Sequence, residues 1–278
     1  MEIFSEKLTM CNIEKEVLIE DASKIQWDTN FNFLKQHNGL RNGKIHLVLG
    51  TTGAGKSTLT RTLVCDSLSN LKGSKMAGIW LSEETTQEFK MEFSRTQYED
   101  RTDNFHVASE LNPAIRERVK TPKGFLNVIC QYIEKLNLKL LFIDNITTSY
   151  AYVNGRGIEN QNEIANGLKD IASKYSIPIV VIAHTNAEIS DNFNGIISSN
   201  HIRGSKLITL IAEFLYILQR VIINEKIIPL IRVEKHRGQE VKSNLHELGY
   251  IASRRIFGCD MPVNFNEFRD MFRDRNKL

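Results

Sequence analysis

Six apolar runs, rich in β-branched residues, punctuate the chain: IHLVLG (45–50), AGIWLS (77–82), LKLLFID (138–144), IPIVVIAH (177–184), AEFLYILQ (212–219) and KIIPLIRVE (226–234). Each is nearly continuous rather than alternating, the pattern of strands buried on both faces. Between them, segments such as 123–136 and 159–175 repeat apolar positions at helical spacing. Strands alternating with helices predict an α/β domain with a mostly parallel central sheet flanked by helices. Only RVIINE separates the last two runs, which predicts a hairpin at one sheet edge. Residues 1–28 mix charge with scattered apolar positions and are read as an arm or linker. The core is expected over 29–260. In the remaining tail, 261–278, Phe265, Phe268 and Phe272 share one helical face, suited to packing on the chain's own core or on a neighbouring subunit.

Composition narrows the class without changing this picture. The chain has 278 residues, 41% hydrophobic and 25% charged, which suits a soluble globule and excludes a collagen, a mucin or a largely disordered chain. A net charge of +3 permits nucleic-acid binding but does not argue for it, so any basic footprint must be local. Cys11, Cys65, Cys130 and Cys259 form no CxxC pair, against a disulfide scaffold or a zinc site. No apolar run reaches the roughly 18 residues that would span a bilayer. Glu2 and Glu6 stand where a secretory signal needs a basic flank and an apolar stretch. A reducing cytoplasm is the expected location, in a bacterial cell or its phage- or plasmid-encoded complement.

The strongest chemical signal is GTTGAGKST at 50–58, which fits GxxxxGK[ST] between a strand and a helix. Gly50, Gly53 and Gly55 let the backbone curl so that its N–H groups face phosphate oxygens. Thr51, Thr52, Ala54 and Thr58 complete the cradle, and the following helix N-terminus adds positive partial charge. Lys56 suits the β- and γ-phosphates, and the Ser57 hydroxyl suits Mg²⁺. ATP with Mg²⁺ is therefore the expected ligand.

Four further strand ends carry candidate chemistry. LKLLFID ends in Asp144, a carboxylate where a metal-organising acid belongs. WLSEET (80–85) ends in Glu83 and Glu84; either could polarise a water, or both could be solvated acids opening a helix. VVIAHTN (180–186) puts His184 at the carboxyl edge of the sheet, as a γ-phosphate sensor or as a hydrogen-bonded structural residue. VEKHRGQE (233–240) offers Arg237 as an arginine finger for a neighbouring subunit's ATP, or as an exposed basic turn.

Taken together, these segments resemble the RecA-type ATPase core of superfamily 4 hexameric helicases: DnaB-type enzymes, phage primase–helicases and Twinkle. The resemblance runs from about residue 28 to about 250. TNFNFLKQHNGLRNGKIHLVLGTTGAGKST (29–58) resembles the entry segment and phosphate loop, WLSEET the acid-bearing strand end, and LLFIDNIT (140–147) Walker B. NEIANGLKDIASKYSIPIVVIAHTN (162–186) resembles the sensor segment. HIRGSKLITLIAEFLYILQR (201–220) and VEKHRG resemble the two arginine-bearing segments. The resemblance implies catalytic roles for Glu83, Lys56, His184 and Arg237, with Glu83 rather than Glu84 as the base and Lys235 supporting Arg237. It implies a homo-oligomer, a hexamer in this family, with ATP at subunit interfaces. Single-stranded DNA and primase or loader proteins are the implied partners, with no membrane.

In that family two loops face the DNA channel; here they correspond to about 148–161 and 186–204. The first offers Tyr150, Tyr152 and Arg156; the second offers Arg203, with Lys206 just beyond. Asn side chains, backbone N–H groups and a few cations can follow a phosphate backbone without reading bases. A replicative DNA translocase or helicase is the first reading. A RecA/RadA-like recombination or repair ATPase, and a KaiC-like regulatory ATPase that binds no DNA, are the alternatives.

Overall fold

The computed structural model describes residues 27, 29–36, 38–69, 77–95, 105–153, 157–186, 197–223, 226–236 and 245–264. Among these, nine strands form one sheet: β1 (Ile45–Gly50), β2 (Ala77–Leu81), β3 (Phe105–Ser109), β4 (Leu140–Asp144), β5 (Ile179–His184), β6 (Phe214–Ile223), β7 (Lys226–His236), β8 (Leu245–Ile251) and β9 (Ile256–Val263). Their order is β3-β2-β4-β5-β1-β6-β7-β8-β9. Strands β3 to β6 in that order are parallel, and β6 to β9 form an antiparallel meander. The helices are α1 (Asn32–Lys35), α2 (Lys56–Ser69), α3 (Thr86–Ser94), α4 (Pro113–Arg116), α5 (Pro122–Leu136), α6 (Tyr150–Val153), α7 (Ile158–Tyr175) and α8 (Leu207–Ile211).

The continuous apolar runs become central strands because both sheet faces are covered. Strands β1, β2 and β4 are buried throughout. Alternate residues serve opposite cores, as a period of two requires. Leu47, Leu49, Ile143, Val181 and Ile217 meet α5 and α7 through Phe125, Ile129, Ile164 and Leu168. Val48, Phe142, Ile182 and Leu218 meet α1, α2 and α3 through Phe33, Leu63 and Phe89. Helix α5 starts where Thr121 accepts from Gly124 N with Pro122 in the first turn, and ends at left-handed Asn137. Helix α7 ends likewise at left-handed Ser176.

The meander differs from the sequence expectation. The β6–β7 hairpin is present but is not the edge, because β8 and β9 continue the sheet beyond it. Those strands, LHELGYI and IFGCDMPV, interleave polar and exposed positions with buried ones, so they show no continuous apolar run. The core extends past the expected boundaries at both ends. Trp27 is buried and donates from Nε1 to Asn42 Oδ1 at 3.0 Å, and β9 reaches Val263. Phe265, Phe268 and Phe272 lie outside the described residues.

One buried carboxylate ties the meander to the entry segment. Asp260 accepts from the backbone N–H groups of Asn32 (2.6 Å) and Phe33 (2.9 Å) and pairs with His246 Nδ1 at 2.8 Å. Both members of the pair are fully buried. Asp260→Ala would leave two backbone donors unsatisfied and take away the carboxylate beside His246. We expect it to cost about 3 kcal/mol of stability, read as a lowered urea midpoint.

Candidate active site

Strand β1 delivers the phosphate loop to the carboxyl edge of the sheet. A Cβ on Gly50 would stand 2.6 Å from the Leu218 carbonyl oxygen, so only glycine lets the loop leave between β1 and β6. Gly53 (φ +75°) and Gly55 (φ +99°) take the left-handed conformations that turn the loop onto α2. Lys56, only 6% exposed, folds back so that Nζ donates to Thr51 O at 2.6 Å. Burial lowers its pKa to about 8, against the opposing pull of Asp144 and Glu83. A cation that is poorly solvated by its surroundings is well suited to an incoming polyphosphate.

Asp144 ends β4, and β5 intervenes between that strand and β1. Burial pushes its carboxyl upward, while the Thr60 and Ser57 hydroxyls, Lys56 and Arg61 pull it down. Ser57 and Asp144 thus lie together beside the loop, an all-oxygen donor pair of the kind a Mg²⁺–phosphate complex takes up. The curled loop, the buried cation and this oxygen pair fit MgATP.

The two adjacent glutamates part company. Ser82 N donates to Asp144 O at 2.9 Å, continuing the β2–β4 pairing one residue past the strand. Glu83 then faces His184 and Lys56. Its carboxyl is held below its ordinary value mainly by His184 beside it, with Thr148 and Lys56 adding to this and partial burial opposing it. Glu84 faces Arg61, 4.0 Å away, and burial pushes its carboxyl up. Thr85 caps α3 in a reciprocal box with Glu88, so neither Glu83 nor Glu84 serves as that helix's cap.

His184 ends β5 directly opposite Gly50. Its Nε2 lies 3.7 Å from Glu83 Oε2 and 2.8 Å from Asn145 Nδ2. Asn145 Nδ2 also lies 2.9 Å from Glu83 Oε2. Sequence reasoning passed over Asn145. Its local signal is that of a cap: it opens the one-turn 3₁₀ helix Ile146–Thr148, with Oδ1 accepting from Thr148 N.

The two ends of the second loop are joined at the same edge. Thr185 bridges Ile202, Arg203 N donates to His184 O at 2.9 Å, and Asn186 N donates to His201 O at 2.8 Å. Arg203 and Lys206 are exposed on this segment. A Cβ on Gly204 (φ +92°) would stand 2.7 Å from Gln161 Oε1 and 2.9 Å from the Tyr152 hydroxyl. The bases of the two loops therefore meet.

Tyr150 and Tyr152 do not face outward as the loop reading expects. Tyr152 is buried against that glycine, which raises its hydroxyl pKa to about 12. Tyr150 lies under the Arg116 guanidinium, 4.1 Å from its ring, and its N–H donates to Glu110 Oε2 at 2.8 Å. Glu110 also accepts from Trp80 Nε1 (2.7 Å) and Ser149 Oγ (2.8 Å), and burial raises its pKa to about 6. Aromatic residues next to a turn are core here because that buried carboxylate anchors the turn.

Arg156, Arg237 and 187–196 lie outside the described residues. Strand β7 ends at His236, paired with Phe214 at the start of β6, whereas Gly50 pairs with Leu218 further along β6. The strand that leads to Arg237 thus ends at the sheet edge opposite the phosphate loop. Arg220 is at the other end of β6, its Nη2 3.7 Å from where a Cβ on Gly55 would stand, with Phe257 also against that glycine.

No curated protein matches the chain. A family described as an AAA domain matches residues 35–188, more than half of the sequence and a span that holds the phosphate loop, Glu83, Asp144, Asn145 and His184. The chain belongs to this AAA domain family, and with its nucleotide-binding loop it is a P-loop ATPase.

Proposed function

We propose that the protein is an ATP-hydrolysing, ring-forming single-stranded DNA translocase or helicase of the DnaB-like kind, acting in DNA replication. AAA-type P-loop ATPase domains are found in helicase-like proteins and commonly oligomerise. The observation that carries the reading is the union of Arg203 with His184 at one sheet edge: the cationic segment hydrogen-bonds to the backbone of the residue beside Glu83. A ligand that moves 197–206 moves His184 with it.

In this mechanism the loop N–H groups and Lys56 bind the β- and γ-phosphates, Lys56 exchanging Thr51 O for phosphate oxygen. Ser57 and Asp144 would hold Mg²⁺, which would supply neutralisation of the phosphate charge. Glu83, ionised and half exposed, takes the proton of the attacking water. His184 reports the γ-phosphate to the 197–206 segment. Arg237 comes from the neighbouring subunit, a role supported by the end of β7 lying away from the chain's own loop.

The test is the ATPase rate with and without single-stranded DNA, beside sizing in a MgATP analogue. Stimulation by DNA in a ring-sized assembly is expected, with strand separation on a forked substrate. Filaments on DNA would favour the recombinase-like alternative, and a rate indifferent to DNA the regulatory one. Arg203→Ala with Lys206→Ala should weaken DNA binding alike across sequences. The slope of log K against log salt should flatten by about 0.7 for each phosphate that the variant no longer neutralises. An unchanged slope would remove this segment from the DNA site.

A further inference from the structure

We propose that Asn145 is a positioning residue for ATP hydrolysis: its side-chain amide is the shared donor that sets both the Glu83 carboxylate and the His184 tautomer. The inference rests on the hydrolytic reading above and adds a residue to it.

The orientation of the amide is dictated by its neighbours. Thr148 N–H, which can only donate, points at Oδ1 at 3.0 Å, and the Thr147 and Thr148 hydroxyls reach the same oxygen at 2.9 Å each. The other end of the amide is therefore nitrogen. Its two hydrogens meet Glu83 Oε2 at 2.9 Å and His184 Nε2 at 2.8 Å. An amide nitrogen cannot accept, so Nε2 must be the acceptor and the imidazole carries its proton on Nδ1. The backbone is fixed as well: His184 N donates to Thr147 Oγ1 at 3.1 Å. Asn145 thus holds the imidazole and the carboxylate 3.7 Å apart, each on one hydrogen of the same amide. A base whose proton-accepting oxygen is fixed in this way is preorganised to take a proton from water. The charged and titratable groups facing Glu83 are His184 on β5 and Lys56 on α2.

Asn145→Asp is the discriminating variant. It keeps an oxygen for Thr147 and Thr148 but turns the shared donor into an acceptor. The kcat should fall about 100-fold at neutral and alkaline pH, with the KM for ATP within about threefold of wild type. Wild-type kcat should decline on the acid side as Glu83 is protonated, and in Asn145→Asp that decline should move to higher pH, because a second carboxylate beside Glu83 disfavours its ionised form. A purely structural role would not move that profile. A wild-type kcat and pH profile in Asn145→Asp, or a loss confined to KM, would overturn the proposal. Should the variant fail to fold, imidazole NMR of the wild-type chain decides: an Nδ1–H tautomer of His184 supports the proposal, and an Nε2–H tautomer or a charged ring overturns it. Absence of ATP hydrolysis by the wild-type protein, in contrast, would overturn the hydrolytic reading itself.

Discussion

Lys56→Ala should lose ATP hydrolysis by about three orders of magnitude while remaining folded. Removal of a cation facing the β- and γ-phosphates takes away charge that Arg61, directed to Glu84, is not placed to replace. The fold should tolerate the change, because burial already disfavours the charged lysine, lowering its pKa to about 8. Circular dichroism and a melting curve would read the fold, and phosphate release the activity. The companion variant Glu83→Gln should bind ATP normally and fail to turn it over, because an amide accepts no proton from water. Glu84→Gln should retain most of the activity, its partner being Arg61 and not His184. Loss in Glu84→Gln with normal turnover in Glu83→Gln would shift the base by one residue.

Arg237→Ala should bind nucleotide and lose about three orders of magnitude or more in turnover. A guanidinium is planar and permanently charged, which suits the γ-phosphate oxygens of a loose transition state. Strand β7 ends on the sheet edge away from the chain's own loop, so in the proposed ring the ATP that Arg237 would meet is a neighbour's. Each complete site then needs Lys56 from one subunit and Arg237 from the next. Mixing Lys56→Ala with Arg237→Ala protein should restore activity at interfaces where both groups are intact. No rescue in mixtures shown by sizing to be co-assembled would move the finger elsewhere or make hydrolysis cooperative around the whole ring. Arg220, which ends the other arginine-bearing segment, 201–220, stands beside Gly55 of its own chain.

Strands β1, β2, β4 and β5 were legible in the sequence nearly to the residue, because burial on both faces demands unbroken apolar runs. Helices α5 and α7 were legible from their spacing, and their caps, Thr121 and the left-handed Asn137 and Ser176, agree with it. The phosphate loop was legible because curling around an anion requires glycine at fixed intervals. The short edge strand β3 and the partly exposed β8 and β9 were not, since one-sided or brief burial leaves too little pattern.

Sequence by itself determined the elements whose cause is local: a period of two or 3.6, a glycine at positive φ, a capping hydroxyl. Tertiary structure alone decided which of those ends meet. Glu83 and Asn145 are 62 residues apart, Asn145 and His184 are 39 apart, and Asn32 and Asp260 are 228 apart. The strand order brings each of these pairs together, and no pattern along the chain records it. Tyr152 illustrates the same limit, since its place in a glycine-rich loop suggests exposure while the turn at Gly204 closes over its hydroxyl. Local forces act along the chain and leave a trace in composition, whereas packing acts across it and appears only once the sheet is ordered.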